Sequence, residues 1–563
     1  MELLSPAGNF DSLIAAVQNG ADAVYVGAQK FSARNLADNF SDLSKAASYA
    51  HASGVKLYLA LNTLVRDREI KPWLKTAQAA ADAGVDAFIL QDLGCAMLLK
   101  SLCPSIPLHA STQMTAHNAE HVRRLQELGF ERIILSRELS FSEIYAISSR
   151  TGAELEIFVH GALCTCYSGQ CLMSSIFGGR SANRGLCAQP CRLDYRAGNK
   201  SGRLLSTRDL CLIDHIFRIK QAGIASIKIE GRMKPAGYVG TVTRIYRKAL
   251  DGGQITKQDK EDLLRAYSRR GFTNLPFAGN MKTAAPIPIP LPTPPAKEDN
   301  CFDAYKPLKK GKRKKPRKLA AQVQTPAQAK AVLPLVDILY VPIDAKWALE
   351  LKQMQKEGSP QLIGVHPLIV HEGEQTDFDA SLFDGELFGT LTKTNAEHKI
   401  SDASLHVTNG ETLKTLRSLG FERATVSVEL NAAQIADLPD IMPTEMIAYG
   451  RLTLMTTMHC PLHCDKKSCL VASGRELLTD RMGKRFPLRK TGSGCRVEIL
   501  NSAPIYMADK LSQVSANVIR LLFTIETPQE CVKITREYRD AMAGQPVSPP
   551  RDFTRGHFTR GVK

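Results

Sequence analysis

Short apolar runs alternate with amphipathic stretches from the first residue onward. The runs at 2–5, 23–27, 56–61, 87–91, 107–111, 132–136, 154–160 and 226–230 are apolar at successive positions rather than at every second one. That pattern marks strands buried on both faces, as in a parallel sheet. Between them, FDSLIAAVQNG, LSKAASYAHASG, KPWLKTAQAAADAG and AEHVRRLQELG repeat apolar residues at helical intervals. Each of these patterns closes on Gly, the residue that tolerates the left-handed turn at a helix end. A last helix, GYVGTVTRIYRKALDGG, follows the eighth run. Eight strand–helix units in succession predict an N-terminal (β/α)8 TIM-like barrel over residues 1–280.

In such a barrel the site forms at the C-terminal ends of the strands. Polar residues gather there: Ser5, Asn62, Gln91, Asp92, His109, Ser111, Gln113, Arg137, Glu138, His160, Lys228, Glu230 and Arg232. Ser5, Asn62 and Gln113 read as groups that satisfy strand-end hydrogen bonds. His109, Glu138, His160 and Glu230 are candidates for proton transfer, because titratable groups at one mouth can exchange protons with a substrate. Arg137, Lys228 and Arg232 are candidates for holding its anionic groups.

Residues 156–195 carry five of the chain's 14 cysteines: Cys164, Cys166, Cys171, Cys187 and Cys191. Without Cys166 the spacings are 7, 16 and 4 residues. Stable disulfides are not expected, since the chain opens on MELLSPAG without a secretory signal, which points to a reducing cytoplasm. A structural zinc site normally uses two short Cys clips, and only Cys187 with Cys191 is clip-like. An iron–sulfur cluster tolerates irregular spacing, because its ligands come from loops at several distances. Unliganded or redox thiols are the third reading. The loop leaves the seventh predicted strand, so whatever it binds hangs over the barrel mouth.

Residues 281–318 read as a linker: Pro-rich APIPIPLPTPPA, then basic LKKGKRKKPRK. The basic part is either a solvated spacer or an arm that tracks phosphates. Beyond it, LGFER followed by a strand and Glu-Leu occurs twice, with Glu429 291 residues after Glu138. EIFVHGALCTCYSGQC is echoed by EMIAYGRLTLMTTMHC, with Gly450 opposite Gly161 and Tyr449 opposite His160. Residues 319–545 are therefore expected to form a duplicated, degenerate or shortened barrel-like α/β domain. Its strands are expected to include 339–342, 362–366, 405–408, 424–427, 446–450 and 518–523. Cys460, Cys464, Cys469 and Cys495 make a second set, spaced for zinc or another metal, with His459 and His463 as alternative ligands. Unliganded thiols are the other reading of that set. The basic tail, 546–563, contains FTRGHFTRG, which either stacks on single-stranded bases or packs on the domain.

At 563 residues, 44% hydrophobic and 23% charged, the chain is an ordinary multi-domain globular protein. No apolar run reaches membrane-spanning length. The net charge of +17 suits a polyanion such as RNA, or a Lys-rich solvated surface. Phosphate-binding P-loops, G-x-G-x-x-G, H-E-x-x-H and G-x-S-x-G are absent; HEGEQ at His371 lacks the second His. Serine hydrolase and zincin mechanisms thus have no support, whereas a cysteine paired with His160 remains a conceivable nucleophile.

HGALCTCYSGQC, RSANRGLCAQPCR and SIKIEGRMKPAGYV, with the opening SPAGNFDSLIAAVQNGADAVYVG, resemble the collagenase-like peptidase family, number thirty-two among peptidases of unknown catalytic type. The resemblance covers about residues 1–280, and HCPLHC with LTDRMGKRFPL resembles the C-terminal part of longer members. It implies an oxygen-independent RNA hydroxylase carrying a 4Fe–4S cluster, of the ribosomal RNA 5-hydroxycytidine or tRNA 5-hydroxyuridine type, using prephenate. By the same resemblance Cys164, Cys171, Cys187 and Cys191 would hold the cluster, with Cys166 an extra thiol. The alternatives are a peptidase and a non-catalytic RNA-binding assembly factor. Nothing in the sequence specifies the target nucleotide or the oligomeric state.

Overall fold

The computed structural model describes residues 1–34, 37–267, 271–278, 302–312, 314–374, 378–392, 394, 396–462, 469–474, 476–492 and 495–563. The chain opens with β1 (Glu2–Pro6), β2 (Ala23–Gly27), β3 (Lys56–Leu61), β4 (Ala87–Leu90), β5 (Leu108–Ala110), β6 (Arg132–Ile134) and β7 (Glu154–Ala162). An excursion then forms β8 (Tyr195–Ala197), β9 (Lys200–Gly202) and β10 (Asp209–Cys211) before β11 (Ser226–Ile229). β1 to β7 pair in parallel, each with the next, and β11 pairs with both β1 and β7, closing an eight-stranded barrel. β10 runs antiparallel to the end of β7 and pairs with β12 (Phe272–Thr273). The eight predicted strands are the eight barrel strands.

The second half repeats this plan with β13 (Lys318–Gln322), β14 (Ile338–Pro342), β15 (Gln361–Val365), β16 (Gly385–Phe388), β17 (Lys399–Ser401), β18 (Phe421–Thr425) and β19 (Thr444–Gly450). Its excursion holds β20 (Thr453–Thr457), β21 (Leu477–Asp480), β22 (Arg485–Thr491), β23 (Arg496–Leu500) and β24 (Ile505–Tyr506), and β25 (Val518–Leu522) returns to the barrel. β25 pairs with β13 and β19, and β18 with β19, so this barrel too is closed and eight-stranded. It is not shortened: the degeneration expected from sequence lies in its mouth chemistry, not its strand count. Residues 405–408 are not a strand. The strand is β17, and Ala403–Leu405 is a single helical turn. Counted from the paired glutamates, Lys399 is the counterpart of Leu108, which places β17 opposite β5.

The excursions join in one antiparallel sheet, ordered β20-β23-β22-β21-β8-β9. The barrels themselves meet at their C-terminal strand ends. Helices Leu93–Leu102 and Gly410–Ser418 touch so closely that a Cβ on Gly94 would lie 2.1 Å from the Thr412 backbone nitrogen, which only glycine permits.

The basic linker is laid against the second barrel. Lys310 pairs with Asp437, Lys314 with Asp440, and Arg317 N donates to Asn517 O (2.9 Å). Residues 279–301, with the Pro-rich stretch, lie outside the described residues. The tail is packed rather than free: Phe558 and Val562 are buried, Arg555 forms an ion pair with Asp509, and Arg66 donates to Val562 O. Eleven described cysteines are free thiols, but Cys103 is disulfide-bonded, against the expectation for a reducing compartment. Among the described residues no helix is long and apolar enough to cross a membrane.

Candidate active site

The first barrel's mouth opens on a cavity of about 250 Å³ between the strand ends and the loop after β7. Cys164, Cys171, Cys187 and Cys191 all line it, as do Arg137, Lys228, Glu230 and Arg232. Cys164 is exposed, Cys171 buried, and Cys187 and Cys191 are between. Cys166 is fully buried and forms no part of the wall; its thiol hydrogen-bonds Cys171 and holds that thiol below its ordinary range. Burial raises Cys187 and Cys191. Thiolates gathered at one cavity repel one another unless a cationic centre sits among them.

Among the described residues no three His, Cys, Asp or Glu side chains converge as a ready-made metal-ion site. A polynuclear cluster is a larger body than an ion and holds its thiolates farther apart. Four cysteines around one cavity are a donor set of the kind that can hold such a cluster. The second set cannot be assembled in the same way, because Cys464 and His463 lie outside the described residues.

The wall carries six cationic side chains, Arg34, Arg137, Arg192, Lys228, Arg232 and Lys234, against one carboxylate, Glu230. Arg34, in the loop after β2, pairs with Glu230 (3.2 Å). Burial works against the Glu230 charge, but Arg34, Arg137 and Arg232 hold it below the usual carboxylate range. It is thus a standing anion that fixes cations, and a weak base. Arg137 donates to Ser168 Oγ (2.6 Å) and Ala162 O (3.2 Å), which ties it to the cysteine loop. Burial lowers Arg232 to about 10, which leaves it charged at neutral pH.

Three predicted residues are not in the wall. His109 stacks edge-on against Tyr58 in the barrel interior, and burial beside Arg132 and Lys228 keeps it neutral. His160 packs among Tyr238, Tyr246 and Phe272, is lowered to about 3 by burial, and its Nε2 has no hydrogen-bond partner. The cysteine–His160 dyad is therefore not formed. Glu138 is buried with both oxygens unpartnered and is raised to about 7 by that burial.

Lys228 reaches the wall but is committed below it. It donates to Glu156 (2.9 Å), which also pairs with Arg132 (3.4 Å). The second barrel holds the same arrangement at the same strands, with Arg423 and Arg520 on Glu445 (2.9 and 2.7 Å). The network is present in both halves, so it has a role in the barrel interior that does not depend on the cysteine loop of the first mouth.

Two features escaped the sequence: Arg34, and the joining of the strand-end residues Asn62, Gln91 and Gln113 to Asn183. Arg34 lies in an irregular loop with no motif to mark it. A chain of amides runs from Asn62 to Gln113 (2.8 Å), to Gln91 (2.8 Å) and to Asn183 (3.4 Å), where Asn183 Nδ2 is buried without an acceptor. Ser5, as expected, satisfies a local bond, to Thr243 Oγ1 (2.8 Å).

Residues 8–285 match the model of Peptidase family U32. A 23S rRNA 5-hydroxycytidine synthase of Escherichia coli K12 is 41% identical over 278 residues, 48% of this chain and 42% of that one. A tRNA hydroxylation protein P1 of Bacillus subtilis is 36% identical over 265 residues, 44% of this chain and 63% of its own. An uncharacterized protease of Methanocaldococcus jannaschii is 38% identical over 301 residues, 49% of this chain and 73% of its own. The chain thus spans less than two thirds of the first two relatives. On the family match and the extent of the third alignment, the protein belongs to Peptidase family U32.

Proposed function

We propose that the first barrel's cavity hydroxylates a pyrimidine base in RNA, ribosomal or transfer, at C5 without molecular oxygen. The observation that carries this reading is the wall itself: four cysteines and six cationic side chains against one carboxylate. The names of the two RNA-modifying relatives support it. Cys164, Cys171, Cys187 and Cys191 would hold a 4Fe–4S cluster, which supplies the electron transfer such a reaction needs. Arg137 and Arg232 would bind the carboxylates of a small dianionic oxygen donor, prephenate on this reading, while Arg34 keeps Glu230 clear of it. The amide chain ending at Asn183 Nδ2 offers a donor to the edge of a base that has left its stack.

Anaerobically purified full chain is expected to show the broad visible absorbance of a 4Fe–4S centre, and to form a hydroxypyrimidine nucleoside when given RNA and prephenate. Colourless protein of low iron content, with no nucleoside product, would contradict the proposal. A peptidase reading, invited by the name of the archaeal relative, lacks a nucleophile–base pair at His160.

A further inference from the structure

Tyr167 lines the cysteine cavity, and its hydroxyl lies 2.6 Å from Nε2 of His371, which belongs to the second barrel. On the far side of the imidazole, Nδ1 is hydrogen-bonded to Glu143, in the first turn of helix Phe141–Thr151. The carboxylate accepts from Nδ1–H, so Nε2 is left to accept from the Tyr167 hydroxyl. Tyr167 is fully buried, His371 is 6% exposed, and Glu143 keeps 18% of its side chain in solvent. The row therefore leads from the cavity wall to the surface. Ser140, through its backbone N (2.7 Å) and Oγ (2.6 Å), fixes the Glu143 carboxylate, and Glu374 accepts from the His371 backbone N (2.9 Å). The other charged and titratable groups facing this histidine are Glu138, His117 and, through Glu374, Arg496.

The second half provides an internal control. Counted through the duplication, Thr456 stands for Tyr167, Gln434 for Glu143 and Arg66 for His371. The backbone frame is retained, since Arg66 N bonds Glu69 (3.0 Å) as His371 N bonds Glu374. All three side chains of the row differ. Among the described residues the row exists only on the side that holds Cys164, Cys171, Cys187 and Cys191.

We propose that Tyr167, His371 and Glu143 form a proton relay that serves the first barrel's cavity and is completed by the second barrel. Tyr167 Oη accepts a proton from the bound reactant as its own proton passes to His371 Nε2. The imidazolium is stabilised by Glu143, and its Nδ1 proton leaves through that carboxylate to water. In reverse the relay delivers a proton. Only O–H and N–H bonds form and break, and no electrons change hands. Tyr167 touches the cavity; His371 and Glu143 act through it as positioning residues.

The inference rests on the hydroxylation reading, so its test has two arms. In the first, Tyr167→Phe and His371→Gln, in the full chain with melting temperature as a folding control, are expected to lower kcat about a hundredfold. The KM for RNA should be unchanged, and Glu143→Gln should shift the pH profile. Wild-type kcat and pH profile in both Tyr167→Phe and His371→Gln would overturn the relay. The second arm needs no activity: nitrogen NMR of histidine-labelled protein should find His371 as the Nδ1–H tautomer, with an Nε2 resonance that moves in Tyr167→Phe. An Nε2–H tautomer, or an unmoved resonance, overturns the relay even if the hydroxylation reading stands. If the wild type makes no product while the NMR expectation is met, hydroxylation fails and the relay geometry does not.

Discussion

Asn118 and Asn409 make the same contact in opposite directions across the barrel interface. Asn118 Nδ2 donates to Val370 O (2.9 Å) after β15, and Asn409 Nδ2 donates to Val65 O (2.8 Å) after β3. The next residue of each repeats the exchange: Ala119 N bonds Glu372, and Gly410 N bonds Asp67, both at 2.8 Å. Both asparagines also cap the helix they precede. The halves are thus joined as a two-fold dimer is joined, with one patch used twice. The arrangement turns the two mouths toward each other and brings His371 to the cysteine loop.

Loss of either asparagine removes a helix cap and a bond between barrels. Asn409 does more, since it also donates to buried Asp92 (2.9 Å). Asn118→Ala is expected to cost about 1 kcal/mol and Asn409→Ala about 2 kcal/mol. Urea denaturation of the two variants checks the order; equal costs would mean that Asp92 finds another donor.

The barrel-interior ion networks predict that Lys228 variants fail by unfolding, not by weak substrate binding. Lys228→Ala leaves Glu156, which is wholly buried, with only its longer contact to Arg132 (3.4 Å), and is expected to cost about 3 kcal/mol. Lys228→Met with Glu156→Gln should recover most of that loss. Stability and ligand affinity measured on the same samples separate the two explanations.

Glu138 sets a pH dependence of stability. Its carboxyl is raised from 4.5 to about 7 by burial. A raised acid binds its proton more tightly in the native state, so stability falls as pH climbs from about 4.5 to about 7 and is level beyond. Glu138→Gln should therefore raise the melting temperature at about pH 8 and leave it unchanged near pH 4.5. The difference is on the order of 3 kcal/mol. A constant offset at both pH values would show that the carboxylate has a donor partner that offsets its burial.

If Cys164, Cys171, Cys187 and Cys191 hold the proposed cluster, Cys166 distinguishes those ligands from a neighbouring thiol. It lies outside the cavity wall that the other four cysteines share. Cys166→Ser should retain iron per chain close to wild type, while serine at Cys164, Cys171, Cys187 or Cys191 should lower it. Iron and sulfide analysis of anaerobic protein reads the outcome directly.

Parallel strands covered on both faces leave a continuous apolar trace, which is why the first barrel was legible residue by residue. The second was legible as a repeat but not in detail. β13 begins inside the basic run at Lys318, and β16 carries Glu386, which pairs with His366 (2.6 Å), so neither reads as apolar. The cysteines and Arg232 were visible because their neighbours form long motifs. Arg34, Asn183 and His371 were not, since each is defined by a partner distant in the chain. His371 reaches Tyr167 across 204 residues, and its only local signal was a metalloprotease motif that failed. His109, His160 and Glu138 were drawn into the site by their position at strand ends, where side-chain direction decides between mouth, interior and helix layer.

The most direct test is mass spectrometry of nucleosides in total RNA from cells lacking this protein. One 5-hydroxypyrimidine is expected to disappear, to return with the wild-type chain and not to return with Cys187→Ser. RNA from the deleted cells that keeps every hydroxypyrimidine at its normal level would contradict the proposed function.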